Sequence, residues 1–228
     1  MFADIISTNY PVSFKAKGYD FLKEIIKNNN YSKIFLHVDE NTKKYCLDHF
    51  LKQFNNLKII QIESISGEEN KNINSCLKLW QVISEKGGDR SSLLINLGGG
   101  VVTDMGGFIA STFKRGIDYV NIPTTLLSMV DASVGSKTGI DFGVLKNQIG
   151  TFYDPKLVII DPNYLDTLPD KEKLSGYAEV FKHSLISNNH IFNQLIESNS
   201  ISIDSKIIYD SISVKNNIVL KDKFEKKE

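Results

Sequence analysis

Ile95-Asn96-Leu97-Gly98-Gly99-Gly100-Val101-Val102-Thr103-Asp104 decides the fold class, because an apolar run of strand character meets three glycines and passes directly into a helical pattern. Glycine lets a backbone turn sharply and approach a ligand with no Cβ in the way, and the N–H groups that open the next helix face an incoming anion. A strand, a glycine turn and a helix in that order form a place where a dinucleotide phosphate can sit.

Outward from this turn the chain alternates strand and helix patterns. Before it, Lys33 to Val38 and Leu57 to Ile62 read as strands, Ser92 to Leu97 as the strand that ends at the glycines, and Tyr19 to Lys27, Thr42 to Phe54 and Asn72 to Lys86 as helices. After it come a helix over Val102 to Thr112, a strand over Tyr119 to Ile122 and another over Leu157 to Ile160. Such alternation predicts an α/β architecture, a Rossmann-like parallel sheet with helices on its faces. Beyond Leu168-Pro169 the pattern becomes helical, with Glu172 to Ile186, Ile191 to Glu197 and Ser205 to Val219 as helices and no further strand. The expected organisation is a nucleotide-binding α/β domain over residues 1–165 and the start of an α-helical metal- and substrate-binding domain over residues 166–228.

The composition suits one ordinary globular unit: 228 residues, 41% hydrophobic and 24% charged. Lys plus Arg and Asp plus Glu both number 27, so no global field points to nucleic acid or to an anionic membrane, and an anion site must be local. Cys46 and Cys76 stand apart rather than in a CxxC pair, and no signal-like or long apolar run is present, a pattern expected of a cytoplasmic, reduced protein. The closing Lys221-Asp222-Lys223-Phe224-Glu225-Lys226-Lys227-Glu228 reads by itself as a solvated charged end.

Past the glycine turn lies a dense run of polar and glycine positions, from Pro123-Thr124-Thr125 through Asp131-Ala132-Ser133-Val134-Gly135-Ser136-Lys137 to Lys146-Asn147. Asp131, Lys137, Lys146, Asn147 and Lys182 would bring cations and an amide to one region, which suits a phosphorylated, hydroxyl-rich substrate through charge-assisted hydrogen bonds. Asp39 and Asn41 follow a strand end, where a carboxylate serves equally as a helix cap or as a ribose contact. Asp104 so near a pyrophosphate would repel it, so its expected partners are hydroxyl or amide groups of a cofactor, or the helix it caps. Thr124 and Thr125 stand after a strand, in reach of a nucleotide. Glu179 and His183 are four apart and share a helix face, as a metal pair would, although that spacing is common and a packed or outer-shell histidine is the expected role of His183. His37, His49 and His190 read as structural or exposed.

Taken together, Ser66-Gly67-Glu68-Glu69-Asn70-Lys71, the GGGVVTD turn, Arg115-Gly116, PTTLL, the Asp131 to Lys137 loop, Lys146-Asn147 and Gly176-Tyr177-Ala178-Glu179-Val180-Phe181-Lys182 resemble the 3-dehydroquinate synthase family of sugar-phosphate cyclases, from about Asp39 onward. The resemblance implies conversion of 3-deoxy-arabino-heptulosonate 7-phosphate to 3-dehydroquinate and phosphate in the shikimate pathway, with NAD oxidised and restored in each turnover. It implies NAD contacts from Asp39, Asn41, Glu68, Lys71, Gly99, Gly100, Val101, Asp104, Thr124, Thr125, Lys146, Tyr164, Leu165, Asp166 and Thr167. It implies substrate handling by Asp131, Lys137, Asn147 and Lys182, and a zinc- or cobalt-type divalent ion on Glu179. Arg115, a surface charge on sequence alone, would reach across a homodimer to the partner's substrate phosphate. Ser136 and Asp141 stand where the family usually has glycine and often asparagine. In the family the closing charged segment falls inside the helical domain, ahead of two metal-binding histidines, so the chain reads as truncated, with one metal ligand of about three. Rival expectations are another sugar-phosphate cyclase, a metal-dependent polyol dehydrogenase, and an inactive NAD-binding fragment.

Overall fold

The computed structural model describes residues 2–54, 56–132, 134–187, 192–193, 195, 204–224 and 226. Its strands are β1 (Ile5–Ile6), β2 (Pro11–Phe14), β3 (Ile34–Asp39), β4 (Ile60–Ser64), β5 (Leu93–Gly98), β6 (Asp118–Pro123), β7 (Lys137–Phe142), β8 (Leu145–Phe152) and β9 (Leu157–Ile160). The helices are α1 (Lys15–Asn29), α2 (Glu40–Tyr45), α3 (Leu47–Leu51), α4 (Ile73–Glu85), α5 (Gly100–Thr112), α6 (Asp170–Ser187) and α7 (Ser205–Lys221). Seven strands form one sheet in the order β1-β2-β9-β6-β5-β3-β4, parallel throughout except for the antiparallel edge strand β1.

The parallel core is what the alternating pattern predicts, with corrections at its borders. The expected strand Leu57 to Ile62 begins later, as β4, where an alternating buried and exposed pattern marks the sheet's edge. The expected helix Thr42 to Phe54 is two helices broken at Cys46, and it starts earlier because Asp39 caps α2. Strand β2 went unread because four residues carry too little periodicity; its pairings with β1 and β9 make it a strand. The polar run after Asp131 holds an antiparallel hairpin, β7-β8, rather than a loop. Most of its side chains on β8 are exposed, so no burial pattern announced it. No strand follows Pro169 among the described residues, while the expected helix Ile191 to Glu197 and His190 fall largely or wholly outside them.

Buried strands carry side chains of alternate faces into two clusters. Leu93, Ile95 and Leu97 of β5 join Val12, Leu22, Leu36, Val120 and Ile160 on one face, whereas Leu94 joins Phe35, Leu79, Met105, Phe108 and Tyr119 beneath α4 and α5 on the other. Val180, Ile207, Ile208 and Ile212 belong to the first cluster, and α6 and α7 pack on each other and on the Ser128–Ala132 turn. Helix α5 comes unusually near β5, since a Cβ on Gly106 would lie 1.9 Å from Asn96 Oδ1. Asn96 is part of a buried polar ladder: His37 Nδ1 lies 3.3 Å from Asn96 Oδ1, His37 Nε2 lies 3.0 Å from Ser64 Oγ, and Asn96 donates to Asn121 Oδ1 at 2.9 Å. Both cysteines are buried and free, with burial pushing the Cys46 thiol up to about 11 and Cys76 to about 12. No helix among the described residues is long and apolar enough to cross a membrane.

Candidate active site

Strand order locates the crevice. From β3 the chain moves outward to β4, then returns to β5 on the other side of β3, so the connections diverge above the carboxyl ends of β3 and β5. Ligands of open parallel sheets bind at such a switch point. Asp39 ends β3 and Gly98 ends β5, with Gly99 as the N-cap of α5. A Cβ on Gly98 would lie 2.5 Å from Val102 Cβ, and one on Gly99 would lie 3.0 Å from Thr125 Cγ2. The turn is therefore filled by its own neighbours on one side, with Gly99, Gly100 and Val101 partly exposed on the other. Thr124 N–H donates to Gly98 O at 3.0 Å, and the Thr125 hydroxyl bonds Ser128 Oγ at 2.9 Å, so the PTT segment closes the crevice from β6.

Of the two roles open to it by position, Asp39 takes that of the helix cap: its carboxylate accepts from Thr42 N–H at 2.7 Å and from the Thr42 hydroxyl at 2.9 Å, forming a capping box. Asn41 is exposed on the first turn of that helix. Tyr164 lies in a 3-10 turn over Pro162–Thr167 after β9, its hydroxyl 2.9 Å from that of Tyr19. Tyr19 in turn donates to Asp161, whose Oδ2 also lies 2.7 Å from His49 Nε2. The Tyr164 hydroxyl is thus turned inward, leaving Leu165 half-buried and Asp166 and Thr167 exposed at the surface of the turn.

Three residues distant in sequence meet below the hairpin. Lys71 Nζ, with its side chain 4% exposed, donates to Asp104 Oδ2 at 2.7 Å and to Asn147 Oδ1 at 2.6 Å. Burial pushes the Asp104 carboxyl up to about 6 even though Lys71 pulls it down. Lys71 and Asp104, expected to face a cofactor, here hold each other and the hairpin. Asn147 adopts a left-handed backbone, φ 54°, and its N–H is taken by Asp141 Oδ1 at 2.8 Å; Asp141 N–H in turn reaches Lys71 O at 2.8 Å. Ser136 likewise has a positive φ of 62°, the conformation a glycine takes without strain, and its hydroxyl donates to Asp154. Above, Lys146 Nζ lies 3.4 Å from Glu68 Oε1 at the exposed rim.

A cavity of about 420 Å³ opens between the hairpin, α5 and α7, lined among others by Asp104, Asp131, Lys137, Asn147 and Lys215. Asp131 is placed there by a π-helical turn over Ser128–Ala132. Its Oδ1 lies 2.5 Å from Lys215 Nζ; burial would raise its pKa, yet Lys215 and Lys182 hold the carboxyl below its ordinary value. Beside it on α6, Glu179 is paired with Lys182, and Glu179 Oε1 lies 3.1 Å from His183 Nε2. His183, only 1% exposed, has its Nδ1 2.6 Å from Ser211 Oγ, and burial lowers its pKa against the pull of Glu179.

Ligand atoms of Asp131, Glu179 and His183 lie within 4.8 Å of one another. Glu179 Oε1 is buried, and its contacts with Lys182 Nζ and His183 Nε2 are ion-pair contacts without hydrogen-bond geometry. The O and N donors of this cluster are of the type a divalent cation takes. Arg115 is exposed, with φ 70°, just past the C-terminal end of α5, the end opposite the glycine turn.

Sequence reasoning missed Lys215 and assigned His183 only a packing or outer-shell role. A signal existed: Ile208, Ile212, Lys215 and Val219 follow a helical period, so Lys215 stands on an inward stripe where a lysine needs a partner. His183 stands similarly with Gly176 and Val180.

Comparison with known proteins places this arrangement. A family model for the 3-dehydroquinate synthase N-terminal region matches residues 61–175, and one for the C-terminal region matches residues 176–228. A 3-dehydroquinate synthase of Parabacteroides distasonis is 43% identical over 207 residues, 88% of this chain and 58% of the relative. One of Dictyoglomus thermophilum is 41% identical over 228 residues, covering 95% of this chain and 61% of the relative. The chain thus spans about six tenths of the length of these relatives. A crystal structure of 2-deoxy-scyllo-inosose synthase with carbaglucose-6-phosphate, NAD+ and Co2+ aligns with a TM-score of 0.87 at 23% identity, covering 99% of this chain and 65% of that one. At that identity the likeness concerns the fold. By the two matched regions, continuous from residue 61 to residue 228, and by its identity to curated relatives, the chain belongs to the 3-dehydroquinate synthase family.

Proposed function

We propose that this chain carries the cofactor crevice and part of the substrate site of a 3-dehydroquinate synthase, releasing phosphate from 3-deoxy-arabino-heptulosonate 7-phosphate to give 3-dehydroquinate. The observation that carries the reading is that Asp104, in the helix opened by the glycine turn at the β3/β5 switch point, lines one cavity with Lys137, Asn147, Lys215 and Asp131. A nucleotide in the crevice would then present its reactive end to a substrate held by cations. Relatives at 36–48% identity carry this name, whereas the cyclases of other sugar phosphates stand at 22–23%. We place the border between the NAD-binding and helical parts at residues 165 and 166.

When bound, NAD supplies a reversible hydride acceptor and a zinc- or cobalt-type ion supplies a Lewis acid. Gly99, Gly100 and Val101 would offer backbone N–H groups to the pyrophosphate. Asp39, Asn41, Glu68, Thr124, Thr125, Lys146 and the Tyr164 to Thr167 turn would line the rest of the nucleotide, and Lys71 with Asp104 holds the floor. Lys137, Asn147, Lys182 and Lys215 would bind phosphate and hydroxyl oxygens, Asp131 would orient hydroxyls, and Glu179 would hold the ion. The working form on this reading is a cytoplasmic homodimer in which Arg115, exposed past the C-terminal end of α5, serves the partner's site. The test is phosphate release from the heptulosonate phosphate with and without NAD and divalent metal. Release that needs both, without net NADH, supports the reading, while net NADH formation from a polyol would replace it with a dehydrogenase.

A further inference from the structure

We propose that Asp154 is a positioning residue for the substrate site: through the Ser136 hydroxyl it fastens the loop that presents Lys137 to the cavity, tying that loop to the turn between β1 and β2 and to the segment after α7. The inference rests on the reading of Lys137 as a substrate contact and goes beyond it, because it names what fixes that lysine. It also gives a use to Ser136, which stands where the family usually has glycine.

Donors from separate parts of the fold converge on this one carboxylate. Asp154 Oδ1 accepts from Ser136 Oγ, from Thr8 Oγ1 at 2.9 Å and from Lys223 Nζ at 2.8 Å. Asp154 Oδ2 accepts from Asn9 Nδ2 at 2.8 Å and from Lys223 Nζ at 3.0 Å. Burial would raise the Asp154 carboxyl, yet Lys223, Ser136, Asn9 and Thr8 hold it down to about 2, so it is ionised at neutral pH and can accept from all of them. Thr8 and Asn9 come from the turn between β1 and β2, Lys223 from just past α7, and Ser136 from the loop before β7. Next to Ser136, Gly135 N–H donates to the buried Tyr10 hydroxyl at 3.0 Å, a second tie to the same turn.

What these bonds hold is the base of Lys137. The end of the hairpin pairs Lys137 with Phe152, and beyond that pair Tyr153 N–H donates to Ser136 O at 2.8 Å. The bond from Ser136 to Asp154 adds a further cross-link between the same two strand ends, so the carbonyl and the hydroxyl of Ser136 are both fixed. Ser136 keeps a left-handed φ of 62°, a conformation that costs a residue with a Cβ and that the bond to Asp154 helps to hold. Glycine would take the same backbone without strain, yet it would lose the link. A lysine reaches its ligand on a flexible four-carbon stem, so the place where the stem starts decides which part of the cavity the ammonium can reach.

The experiment measures, on the full chain, affinity for 3-deoxy-arabino-heptulosonate 7-phosphate and, separately, for NAD by calorimetry, together with amide hydrogen exchange at Ser136 and Lys137. Ser136→Gly should weaken sugar-phosphate binding about five- to tenfold and Asp154→Ala about tenfold or more, each leaving NAD affinity within about twofold, a split that general loss of structure would not give. Both should speed exchange at the two amides by about tenfold. Adding Ser136→Gly to Asp154→Ala should cost no more than about a further twofold, since the hydroxyl acts through the carboxylate. Should Asp154→Ala fail to fold, Ser136→Gly, which removes one hydroxyl from a backbone that suits glycine, decides the matter. Wild-type sugar-phosphate affinity or wild-type exchange in Ser136→Gly, or losses that multiply in the double variant, overturns the inference. Lys137→Ala separates the two readings. If it loses sugar-phosphate binding while Ser136→Gly and Asp154→Ala keep it, this inference fails and the proposed function stands. If Lys137→Ala keeps that affinity, or the wild-type chain binds no sugar phosphate, the assignment of Lys137 to the substrate falls and the inference falls with it.

Discussion

Replacing Lys71 by methionine tests the buried ion pair that joins the glycine-turn helix to the hairpin. Lys71 is 4% exposed and Asp104 19%, with 2.7 Å between their charged atoms. Asp104 is pushed up to about 6 from an ordinary 3.8 even with Lys71 present. A shift of that size corresponds to roughly 3 kcal/mol, at about 1.4 kcal/mol per pKa unit. Because the folded pKa is raised, the carboxylate opposes folding above pH 6, and the penalty fades as pH falls through 6 toward 4. Without Lys71 the carboxylate is buried with no cation, and losing one partner of a buried pair costs about 3–5 kcal/mol. At pH 5 Asp104 is protonated in both proteins, so the difference should shrink to about 1–2 kcal/mol, the value of the lost hydrogen bonds. His37, lowered to about 4 by burial, titrates in both and cancels. Urea unfolding of wild type and Lys71→Met at pH 8 and pH 5 measures this directly. An equal destabilisation at the two pH values would refute the charge-based account and leave only packing.

Gly106→Ala should destabilise the fold by about 1–3 kcal/mol in urea unfolding, because its Cβ would meet Asn96 Oδ1 at 1.9 Å; an unchanged midpoint would show that α5 can move off the sheet. Gly99→Val should abolish NAD binding by calorimetry, since it crowds Thr125 and covers the turn's backbone, and retained affinity would place the pyrophosphate elsewhere. Lys137→Ala should leave NAD affinity nearly unchanged and reduce kcat/KM for the sugar phosphate by about 10–100-fold, from roughly 1.5–3 kcal/mol for a charge-assisted bond; the opposite pattern would exchange the roles of the two positions. Mixing Arg115→Ala with Lys182→Ala chains, each nearly inactive alone, should restore activity in mixed dimers, and proven subunit exchange without recovery would sink the shared site.

Acid should also weaken the fold through His37. Its folded pKa lies below the unfolded one, so stability is full above pH 6.5 and falls as pH drops toward 4, because the unfolded chain takes the proton more readily. His37→Gln, which keeps an amide for the ladder, should flatten that slope in unfolding measured across pH 4–7. A slope unchanged by the substitution would assign it to other groups.

What the amino-acid sequence determined by itself was whatever short-range physics controls. Apolar runs such as Leu93 to Leu97, separated by helices of amphipathic period, allow little except a parallel sheet, and a strand that meets three glycines before a helix marks its own crevice. The motifs from Ser66 to Lys182 likewise identify the family from local order alone. Tertiary structure decided the pairings. Strand β2 and the β7-β8 hairpin exist because of partners distant in sequence or exposed strands joined by backbone hydrogen bonds, which leave no period in the residues. Lys71, Asp104 and Asn147 meet only when the hairpin folds under α5, and Asp131 meets Glu179, His183 and Lys215 only when α6 and α7 pack on the Ser128–Ala132 turn. A charge shows its type in the sequence, but its partner and its desolvation are set by which surfaces come together, and these set whether it binds a ligand or another residue.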